Sequence, residues 1–390
     1  MPLLTRLYGP EEFGVFTLYF SLVTILSVCL TLRMEQTVVT AQSLTSAVKK
    51  TKGIALQIFV LMAAVYVVVL PGTFDSTIPG ISPLYILLIP GVASASALIV
   101  VLVSLLLWEE RYKVIAVSKL LNAITYVVVA VLAGYYADDG NRINGLILGW
   151  SSAQATLLII LYLVLSRNRP GIWPSVDWTL YEGNKDVVTF NFPSTLADQA
   201  SQQVPSLSIS RLYDVEDVGT YGMAGRLLAA PISLIGAAIS QVLFKHTAEA
   251  FNHRVSIVKP IYQSAALLFV VAVSVGAILW TMTPSAFALI FGDEWGHLAN
   301  VVKILLPAFL LNLMVSPLSS VLISIRKLRP LAGWQVAFLI VTIGMFWMVE
   351  QPFIEKLKLF AIGQCIMYFL YLVLIASCVR NYEFDVNPRS

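Results

Sequence analysis

Eleven stretches of this chain are each long and apolar enough to cross a bilayer. A spanning helix needs about 20 mainly apolar residues, because it rises about 1.5 Å per residue through a hydrocarbon core about 30 Å thick. The stretches are 13–42, 53–70, 84–107, 114–136, 143–165, 187–210, 217–244, 259–283, 299–324, 331–349 and 357–379, of which 187–210 is the most polar. Because lipid cannot hydrogen-bond backbone groups, we expect an all-α polytopic membrane protein.

The composition leaves no room for a separate water-soluble domain. Hydrophobic residues make up 58% of the 390 residues and charged residues 12%, against about 45–50% and about 25% in soluble domains. The net charge of +3 comes without a Lys/Arg block, so nucleic acid is not an expected partner. The histidines, His246, His253 and His297, lie in loops on opposite sides, and no Gly-rich phosphate loop is present. We therefore expect no enzyme activity, no metal site and no cofactor.

A short motif near the N-terminus returns in the middle of the chain. Arg6-Leu7-Tyr8, with Glu11-Glu12 and Gly14, matches Arg211-Leu212-Tyr213, with Glu216-Asp217 and Gly219, at an offset of 205 residues. Shifted by this offset, the later spans of the first half fall on spans of the second half, with one insertion near 292–296. Such a repeat predicts two six-helix bundles around a central site, related by a pseudo-two-fold axis along the membrane normal.

The repeat also predicts how the chain divides. A whole helix precedes the second copy of the motif, and its counterpart would lie before Met1, so about 11 spans are expected, with the first helix mostly missing. Residues 1–165 would form the N-terminal bundle, with the end of helix 1 and helices 2–6. Residues 187–390 would form the C-terminal bundle, helices 7–12. The segment 166–186 between them carries Trp173, Trp178 and basic residues, and is expected to be a cytoplasmic interfacial linker.

The basic residues of the loops predict the orientation of the chain. If residues 43–52 lie on the cytoplasmic side, sixteen loop Lys and Arg residues share that side and five lie opposite. Cytoplasmic loops of membrane proteins carry such an excess. We therefore expect a multi-pass plasma-membrane protein whose C-terminus is cytoplasmic.

Six ionisable residues fall within the predicted spans, where charge is costly and marks function more often than elsewhere. Asp198 and Arg226 lie well inside adjacent helices. Arg226 offers a planar charge that suits a phosphate group, or the two side chains pair with each other and hold their helices together. Arg33, near Glu35, either faces the inner end of a cavity or extends to the lipid headgroups.

The other two ionisable residues lie near helix ends. Lys119 is close to the cytoplasmic end of its span, and Lys303 lies at the outer end of its own. Long lysine side chains at such depths usually reach the headgroups. We therefore expect both to be anchors in the lipid interface.

The segment from Asn191 to Pro205 is the most polar of the predicted spans. Its amides include Asn191, Gln199 and Gln202, and polar side chains at membrane depth need partners or water. We expect this helix to line the cavity, with Pro193 and Pro205 allowing it to bend. The alternative is that its amides only join neighbouring helices.

The opening segment Pro2-Leu3-Leu4-Thr5-Arg6-Leu7-Tyr8-Gly9-Pro10-Glu11-Glu12-Phe13-Gly14 resembles the signature of the bacterial oligosaccharide flippases, the Wzx-like polysaccharide transporters. Phe192-Pro193, Val218-Gly219-Thr220-Tyr221-Gly222 and Arg226-Leu227 also resemble that family. The resemblance covers essentially the whole chain. It implies two six-helix bundles with a central cavity, like the wider superfamily that includes multidrug exporters and lipid II flippases.

The resemblance also implies a substrate and partners. The substrate would be a polyprenyl-pyrophosphate-linked oligosaccharide, moved to the outer leaflet by alternating access, with Arg226 meeting the pyrophosphate. Partners would be membrane lipids and, for surface polysaccharide synthesis, a polymerase and a chain-length regulator. The coupling ion would be H⁺ or Na⁺, with Asp198 as its acceptor.

Two other functions stay open at this point. A cation-coupled multidrug antiporter of the same fold would prefer more carboxylates in the cavity than Glu35 and Asp198 supply. A membrane polysaccharide polymerase or ligase would need a long outer loop with clustered charges. Asp138 and Asp139 in a short outer loop are a poor match for that need.

Overall fold

The computed structural model describes residues 1–72, 83–136, 143–168, 184–348 and 350–386, and all regular secondary structure in these ranges is helical. The predicted all-α fold is thereby confirmed. The helices are α1 (Pro2–Thr5), α2 (Pro10–Thr31), α3 (Gln36–Val39), α4 (Leu44–Gly72), α5 (Pro83–Trp108), α6 (Tyr112–Tyr136), α7 (Ile143–Asn168), α8 (Phe192–Leu212), α9 (Val215–Pro231), α10 (Ala237–His253), α11 (Val258–Thr281), α12 (Pro284–Phe291), α13 (Leu298–Leu318), α14 (Ser320–Ser324), α15 (Leu328–Trp347) and α16 (Phe353–Val386).

Ten helical segments in the described ranges are long and apolar enough to span a membrane. They are Pro10–Thr31, Leu44–Val69, Pro83–Trp108, Tyr112–Tyr136, Gly145–Arg167, Val215–Phe251, Val258–Thr281, Leu298–Ser324, Leu328–Trp347 and Phe353–Phe384. The eleventh predicted span is also helical: a π-helical turn, Val187–Asn191, runs directly into α8. Its many amides and hydroxyls keep it below the hydropathy of the other ten. The chain is a multi-pass membrane protein.

The first predicted span, 13–42, is wrong as a single helix. Helix α2 ends at Thr31, and the next two residues, Leu32 (φ 47°) and Arg33 (φ 61°), have left-handed backbone conformations. Residues with a β-carbon rarely adopt this conformation. Because neither residue is a glycine or a proline, the sequence carries no sign that the helix ends here. Arg33 and Glu35 therefore lie in a turn after the helix and not on the helix itself.

One of the two predicted bends coincides with a π-helical turn, which ends at Asn191, two residues before Pro193. A second π-helical turn, Ile232–Gly236, follows Pro231. A proline removes one backbone donor from the helical ladder, and π turns inside helices often mark functional positions. By contrast, α8 continues as an α-helix through Pro205.

The chain forms two compact units, residues 1–219 and 220–390, which divide within α9. In the first unit, α2 and α5 are the most buried spans, and α2 packs against α4, α5, α7 and α8. Because α8 packs on α2, the structure groups it with the first unit, whereas the predicted second bundle begins at 187. Residues 169–183 of the predicted linker lie outside the described residues, as do Asp138 and Asp139.

The second unit is built around α13, its most buried span, which packs against α11 and α16. Its core includes Leu243, Leu313, Leu322 and Tyr371, with the Trp334 and Tyr371 rings stacked 3.9 Å apart. Its surface exposes many large aliphatic and aromatic side chains. This distribution suits lipid as the solvent, since lipid tails carry no penalty for apolar contact.

Buried polar groups join helix ends in this unit. Lys356, 1% exposed at the start of α16, donates to the carbonyl oxygens of Met345 (3.3 Å) and Phe346 (3.2 Å) at the end of α15. At the other end of α16, the Glu383 carboxylate accepts the backbone N–H of Ile257 at 2.7 Å, at the start of α11. A cation at a helix C-terminus and a carboxylate at an N-terminus both satisfy unpaired backbone groups.

Candidate functional site

The two copies of the repeated motif contact each other. A β-carbon on Gly14 of α2 would overlap the carbonyl oxygen of Val215, the first residue of α9, and a β-carbon on Gly219 would overlap the carbonyl oxygen of Pro10, the first residue of α2. Both Gly14 and Gly219, and Pro10 and Val215, are separated by the 205 residues of the repeat. The contact is therefore reciprocal, as a local two-fold relation requires. The duplication read from the sequence is visible at this helix crossing.

Tyr8 of the motif is a structural residue. It is 1% exposed, and its hydroxyl donates to the carbonyl oxygen of Ala130 on α6 at 2.5 Å. The ring fits where Gly134 of α6 and Gly145 of α7 leave space, since a β-carbon on either glycine would meet it. Tyr8 thus fastens the start of α2 to the α6–α7 hairpin.

The other motif residues lie nearer the surface. Tyr213, the counterpart of Tyr8, is half-buried between α8 and α9. Burial, and then the charge of Asp217, raise the pKa of its hydroxyl, so this group stays neutral at physiological pH. Arg6 and Arg211 are both exposed. Neither arginine of the motif is therefore enclosed in a binding site of the described chain.

A polar seam joins α2 and its following turn to the segment containing α8. The Ser21 hydroxyl donates to the Gln203 side-chain oxygen at 2.8 Å. Farther along, the Asn191 amide donates to the Gln36 side-chain oxygen at 3.1 Å. Because α2 and α8 run antiparallel, these bonds mark two levels of one interface. We call it the α2–α8 seam, defined by Ser21, Arg33, Glu35, Gln36, Asn191, Asp198, Gln202 and Gln203.

An ion pair with a buried carboxylate lies at one end of the α2–α8 seam. Arg33 Nη1 and Glu35 Oε1 are 3.1 Å apart, with the side chain of Glu35 5% exposed and that of Arg33 30% exposed. Arg33 Nε and Glu35 Oε2 are also buried, and neither has a hydrogen-bond partner among the described residues. Buried polar atoms without partners are uncommon in folded proteins, so this turn keeps unused capacity for hydrogen bonding.

Asp198 belongs to the same seam. Its carboxylate accepts a hydrogen bond from the Gln202 amide at 3.3 Å and interacts electrostatically with Arg33. The structure therefore brings Arg33, Asp198, Gln202 and Asn191 to one interface. It places Glu35 there as well, paired with Arg33.

The remaining predicted residues have separate positions. Gln199 is half-buried on α8. Arg226 is half-buried on the part of α9 that belongs to the second unit, and its Nη1 atom is enclosed. The predicted pairing of Asp198 with Arg226, and the cavity role of each, stay predictions. Lys119 is exposed on α6, and Lys303 is half-buried on α13.

The sequence signalled some residues of the seam and not others. Gln203 stands in the same polar run as Gln199 and Gln202, so the run itself was its signal. Gln36 carried no such signal in the sequence. It follows an apolar stretch, and the sequence did not show that the helix breaks within that stretch. Glu35 was noted as an intramembrane charge, but its pairing with Arg33 depends on the turn after α2, where Leu32 and Arg33 have left-handed conformations.

The chemistry of the seam is that of binding and charge compensation. Amides, hydroxyls and one guanidinium can hydrogen-bond sugar hydroxyls and phosphate oxygens. In the described ranges, no three His, Cys, Asp or Glu side chains come together as metal ligands. An apolar groove of about 320 Å³ lies between α2 and α4, lined by Leu26, Cys29, Leu30, Leu61, Ala64, Val65, Val68 and Val69. Its lining offers no hydrogen bonds for a polar head group.

Comparisons with known proteins agree with this architecture. The family model described as polysaccharide biosynthesis protein matches residues 3–300, and none of the curated protein sequences matches the chain. A multidrug resistance MATE family transporter of the MOP superfamily, in an inward-facing conformation, is similar with a TM-score of 0.78 at 14% identity, over 98% of this chain and 96% of that one.

Two further solved structures share the fold. The lipid II flippase MurJ, in an inward closed conformation, gives a TM-score of 0.72 at 12% identity, over 99% of this chain and 87% of its own. A MOP superfamily transporter from Pyrococcus furiosus, described by a binding pocket of reverse polarity, gives a TM-score of 0.64 at 13% identity. The match covers 98% of this chain and 90% of that one. At these identities the likeness establishes the fold alone.

Proposed function

Because the chain belongs to the polysaccharide biosynthesis protein family, we propose that it is a flippase for a polyprenyl-pyrophosphate-linked oligosaccharide. The lipid tail stays in the bilayer while the polar head group crosses through the protein, by alternating access of the two bundles. The substrate serves surface polysaccharide synthesis, as O-antigen, capsule or exopolysaccharide. No covalent bond is made or broken, so the protein is a transporter and not an enzyme.

The observation that carries this proposal is the α2–α8 seam. A hydrocarbon environment tolerates buried amides, hydroxyls and charges only where they find partners or face water. The seam places an arginine, two carboxylates and several amides along neighbouring helices of a membrane protein. Such a lining suits a head group that combines negative charge with many hydroxyls.

Each predicted site residue has a role in this proposal. Arg226 binds pyrophosphate oxygens, because a guanidinium presents a planar fork of donors, and Arg33 faces the inner end of the cavity. The amides Asn191, Gln199 and Gln202 hydrogen-bond sugar hydroxyls. Asp198 accepts the coupling ion, H⁺ or Na⁺.

The setting follows from the same proposal. The chain lies in a bacterial inner membrane with its C-terminus in the cytoplasm, as the basic residues of its loops predict. Its partners are the lipid-linked oligosaccharide, membrane lipids, a polysaccharide polymerase and a chain-length regulator. Nucleic acid is not a partner.

The test is translocation of a labelled lipid by the purified chain. The protein is reconstituted in liposomes with a polyprenyl-pyrophosphate oligosaccharide carrying a fluorophore on its sugar, and a membrane-impermeant quencher reports the fraction in the outer leaflet. We expect Arg226→Ala to slow translocation at least tenfold, and Arg226→Lys to retain part of the rate. The exposed Lys119→Gln is the control and should match the unmodified protein.

Two results would overturn the proposed function. One is an unmodified chain that moves the labelled lipid no faster than empty liposomes. The other is resistance to toxic cations on expression without lipid translocation, which would identify a drug antiporter. An Arg226→Ala variant with full activity would remove only the role assigned to that residue.

A further inference from the structure

Three helix ends meet on one side of the second unit. The Tyr382 hydroxyl, near the end of α16, donates to the carbonyl oxygen of Val255 at 3.1 Å, in the turn between α10 and α11. Ile325, in the turn between α14 and α15, shares a hydrophobic core with Tyr382 and with Ile257 before the start of α11. The two turns and the end of α16 therefore lie together.

The pairing of α15 with α16 supports the same arrangement. Trp334 of α15 stacks on Tyr371 of α16, with the ring centroids 3.9 Å apart. The two helices run in opposite directions, as their second ring contact, Phe346 with Phe360, shows. Followed from the stacked pair toward the start of α15, this register brings Arg380 of α16 level with the α14–α15 turn.

This part of the second unit is strongly basic. Six Lys and Arg residues here are exposed, and none of them forms an ion pair with a described residue. Glu383, the acidic residue beside them, is already engaged, because its carboxylate accepts the Ile257 N–H at 2.7 Å and the Ser256 hydroxyl at 3.1 Å. We call this surface the basic end of the second unit, defined by Arg254, Lys259, Arg326, Lys327, Arg329 and Arg380.

The fold does not require these charges. In the repeat, the α14–α15 turn corresponds to the α5–α6 turn of the first unit. Each turn contains a backbone N–H that donates to the carbonyl oxygen five residues earlier, at Arg111 (2.9 Å) and at Lys327 (2.8 Å). The left-handed residue is Glu110 (φ 56°) in the first turn and Arg326 (φ 57°) in the second. Opposite charges thus occupy one backbone position, and only the first turn balances its charge, through the pair of Glu109 with Arg111.

Exposed aliphatic side chains stand between the cations. Val255, Val258 and Leu328 are each exposed, and each is a neighbour in the chain of one of the six basic residues. Such residues contribute nothing to the binding of a free anion in water. At a bilayer surface, by contrast, aliphatic side chains enter the acyl region while lysine and arginine side chains reach the phosphates. The surface therefore suits a lipid head group better than a soluble anion.

We propose that the basic end of the second unit binds the phosphate of an anionic glycerophospholipid in the leaflet that faces it. Guanidinium and ammonium groups both bind phosphate, and a cluster of about four to eight of them beside a membrane span is typical of anionic-lipid recognition. The distribution of basic residues predicts that this leaflet is the cytoplasmic one. The site lies outside the α2–α8 seam, so it does not depend on which substrate the seam binds.

Native mass spectrometry of the purified full chain measures lipid binding. The probes are phosphatidylglycerol and phosphatidylcholine with the same acyl chains, so that they differ in the head group alone. We expect phosphatidylglycerol to bind at least about tenfold more tightly, because its head group carries a net negative charge. The difference should shrink as the ammonium acetate concentration rises, since salt screens exposed charges.

Variants of the second unit locate the site. Arg326→Glu is expected to fold, because Glu110 has the same backbone conformation in the corresponding turn. It should weaken the binding of phosphatidylglycerol at least about fivefold, the effect of one cation at a membrane surface, and leave phosphatidylcholine unaffected. The triple variant Arg254→Gln/Arg326→Gln/Lys327→Gln should remove the preference for phosphatidylglycerol while eluting as a folded protein.

A matched variant of the first unit controls for net charge. Lys49→Gln/Lys113→Gln/Arg167→Gln also removes three exposed cations, from loops that the sequence assigns to the same side of the membrane. It should bind phosphatidylglycerol as tightly as the unmodified chain does. Equal weakening in the two triple variants would mean that total charge attracts the lipid and that the basic end of the second unit is not a site.

Competition distinguishes the sources of the phosphate. Displacement of phosphatidylglycerol by an equal concentration of glycerol 3-phosphate would identify a site for a soluble anion, and displacement by the polyprenyl-pyrophosphate oligosaccharide would identify a substrate site. Either result, or equal affinities for the two phospholipids, would overturn the proposed phospholipid site. A chain that prefers phosphatidylglycerol in this way but fails to translocate the labelled oligosaccharide lipid would refute only the proposed function.

Discussion

Tyr8 shows how one buried residue fixes a helix start in a membrane protein. Its ring occupies the space left by Gly134 and Gly145, and its hydroxyl reaches the carbonyl oxygen of Ala130. Buried aromatic residues contribute mainly through packing, and a buried hydroxyl adds about 1 kcal/mol through its hydrogen bond. The two contributions can be separated by substitution.

We expect Tyr8→Phe to destabilise the protein by about 1 kcal/mol and Tyr8→Ala by about 3–5 kcal/mol. The first loses only the hydrogen bond, and the second also leaves a cavity between α6 and α7. Thermal unfolding of the purified protein in detergent measures both. Tyr135→Phe, at a 76% exposed position, is the matched control and should leave the unfolding temperature unchanged. Equal effects of Tyr8→Phe and Tyr8→Ala would contradict the packing role of Tyr8.

Gly14 makes a second prediction at the scale of single residues. A methyl group there would overlap the backbone of Val215, so Gly14→Ala forces α2 and α9 apart at their crossing and should cost about 1–3 kcal/mol. Gly225→Ala, where a β-carbon meets no atom within 4 Å, should be neutral or gain up to about 1 kcal/mol from helix propensity. The melting temperatures of the two variants test this prediction. A Gly14→Ala variant as stable as Gly225→Ala would refute the close crossing of α2 and α9.

At the scale of elements, the pairing of α2 with α8 depends on side-chain hydrogen bonds as well as packing. Helix interfaces in membranes lack a hydrophobic driving force, so such bonds contribute, typically about 0.6 kcal/mol each. The bond between Ser21 and Gln203 at 2.8 Å joins the middle of both helices. This makes α8, the most polar of the long helices, part of the first unit.

A double-mutant cycle tests this interface. Ser21→Ala, Gln203→Ala and the combined variant should show a coupling free energy of about 0.5–1.5 kcal/mol, because the two side chains share one hydrogen bond. Unfolding free energies in mixed micelles provide the measurement. A control cycle of Ser21 with Tyr135, which is 76% exposed on α6, should show no coupling. Strictly additive losses in the first cycle would mean that the bond does not hold the helices together.

The end of α16 gives a second prediction for an element. Glu383→Ala would leave the Ile257 N–H, now bonded at 2.7 Å, without its partner, and should cost about 1–3 kcal/mol locally. Hydrogen exchange at residues 256–259 should accelerate, because the start of α11 is released from α16. The control Glu249→Ala removes an exposed pair with Lys245 at 4.0 Å and should leave hydrogen exchange at these residues unchanged. Equal exchange in both variants would argue against the contact between Glu383 and Ile257.

At the scale of the whole molecule, the sequence predicts which loops face the cytoplasm. Lys327 and Lys358 are assigned to opposite sides by the distribution of basic residues. We expect Lys327→Cys to react with a membrane-impermeant maleimide only after cells are opened, and Lys358→Cys to react in intact cells. Unmodified protein measures the background from Cys29, Cys365 and Cys378, and the reverse pattern of labelling would invert the predicted topology.

The sequence by itself determined the fold class, the approximate spans and the duplication. Long apolar stretches in lipid form helices, because a helix satisfies its backbone hydrogen bonds within one segment. The repeat of the Arg-Leu-Tyr motif can be recognised directly in the sequence. It also pointed to Arg33, Asp198, Asn191 and Gln202, because polar residues stand out in such a composition.

Only the tertiary structure decided which of these residues meet. The break after Thr31 carries no glycine or proline, yet Leu32 and Arg33 have left-handed conformations there and Arg33 pairs with Glu35. The partners of Asn191 and Ser21 are 155 and 182 residues away. Local sequence carries no record of contacts at such separations, because they arise from how whole helices pack.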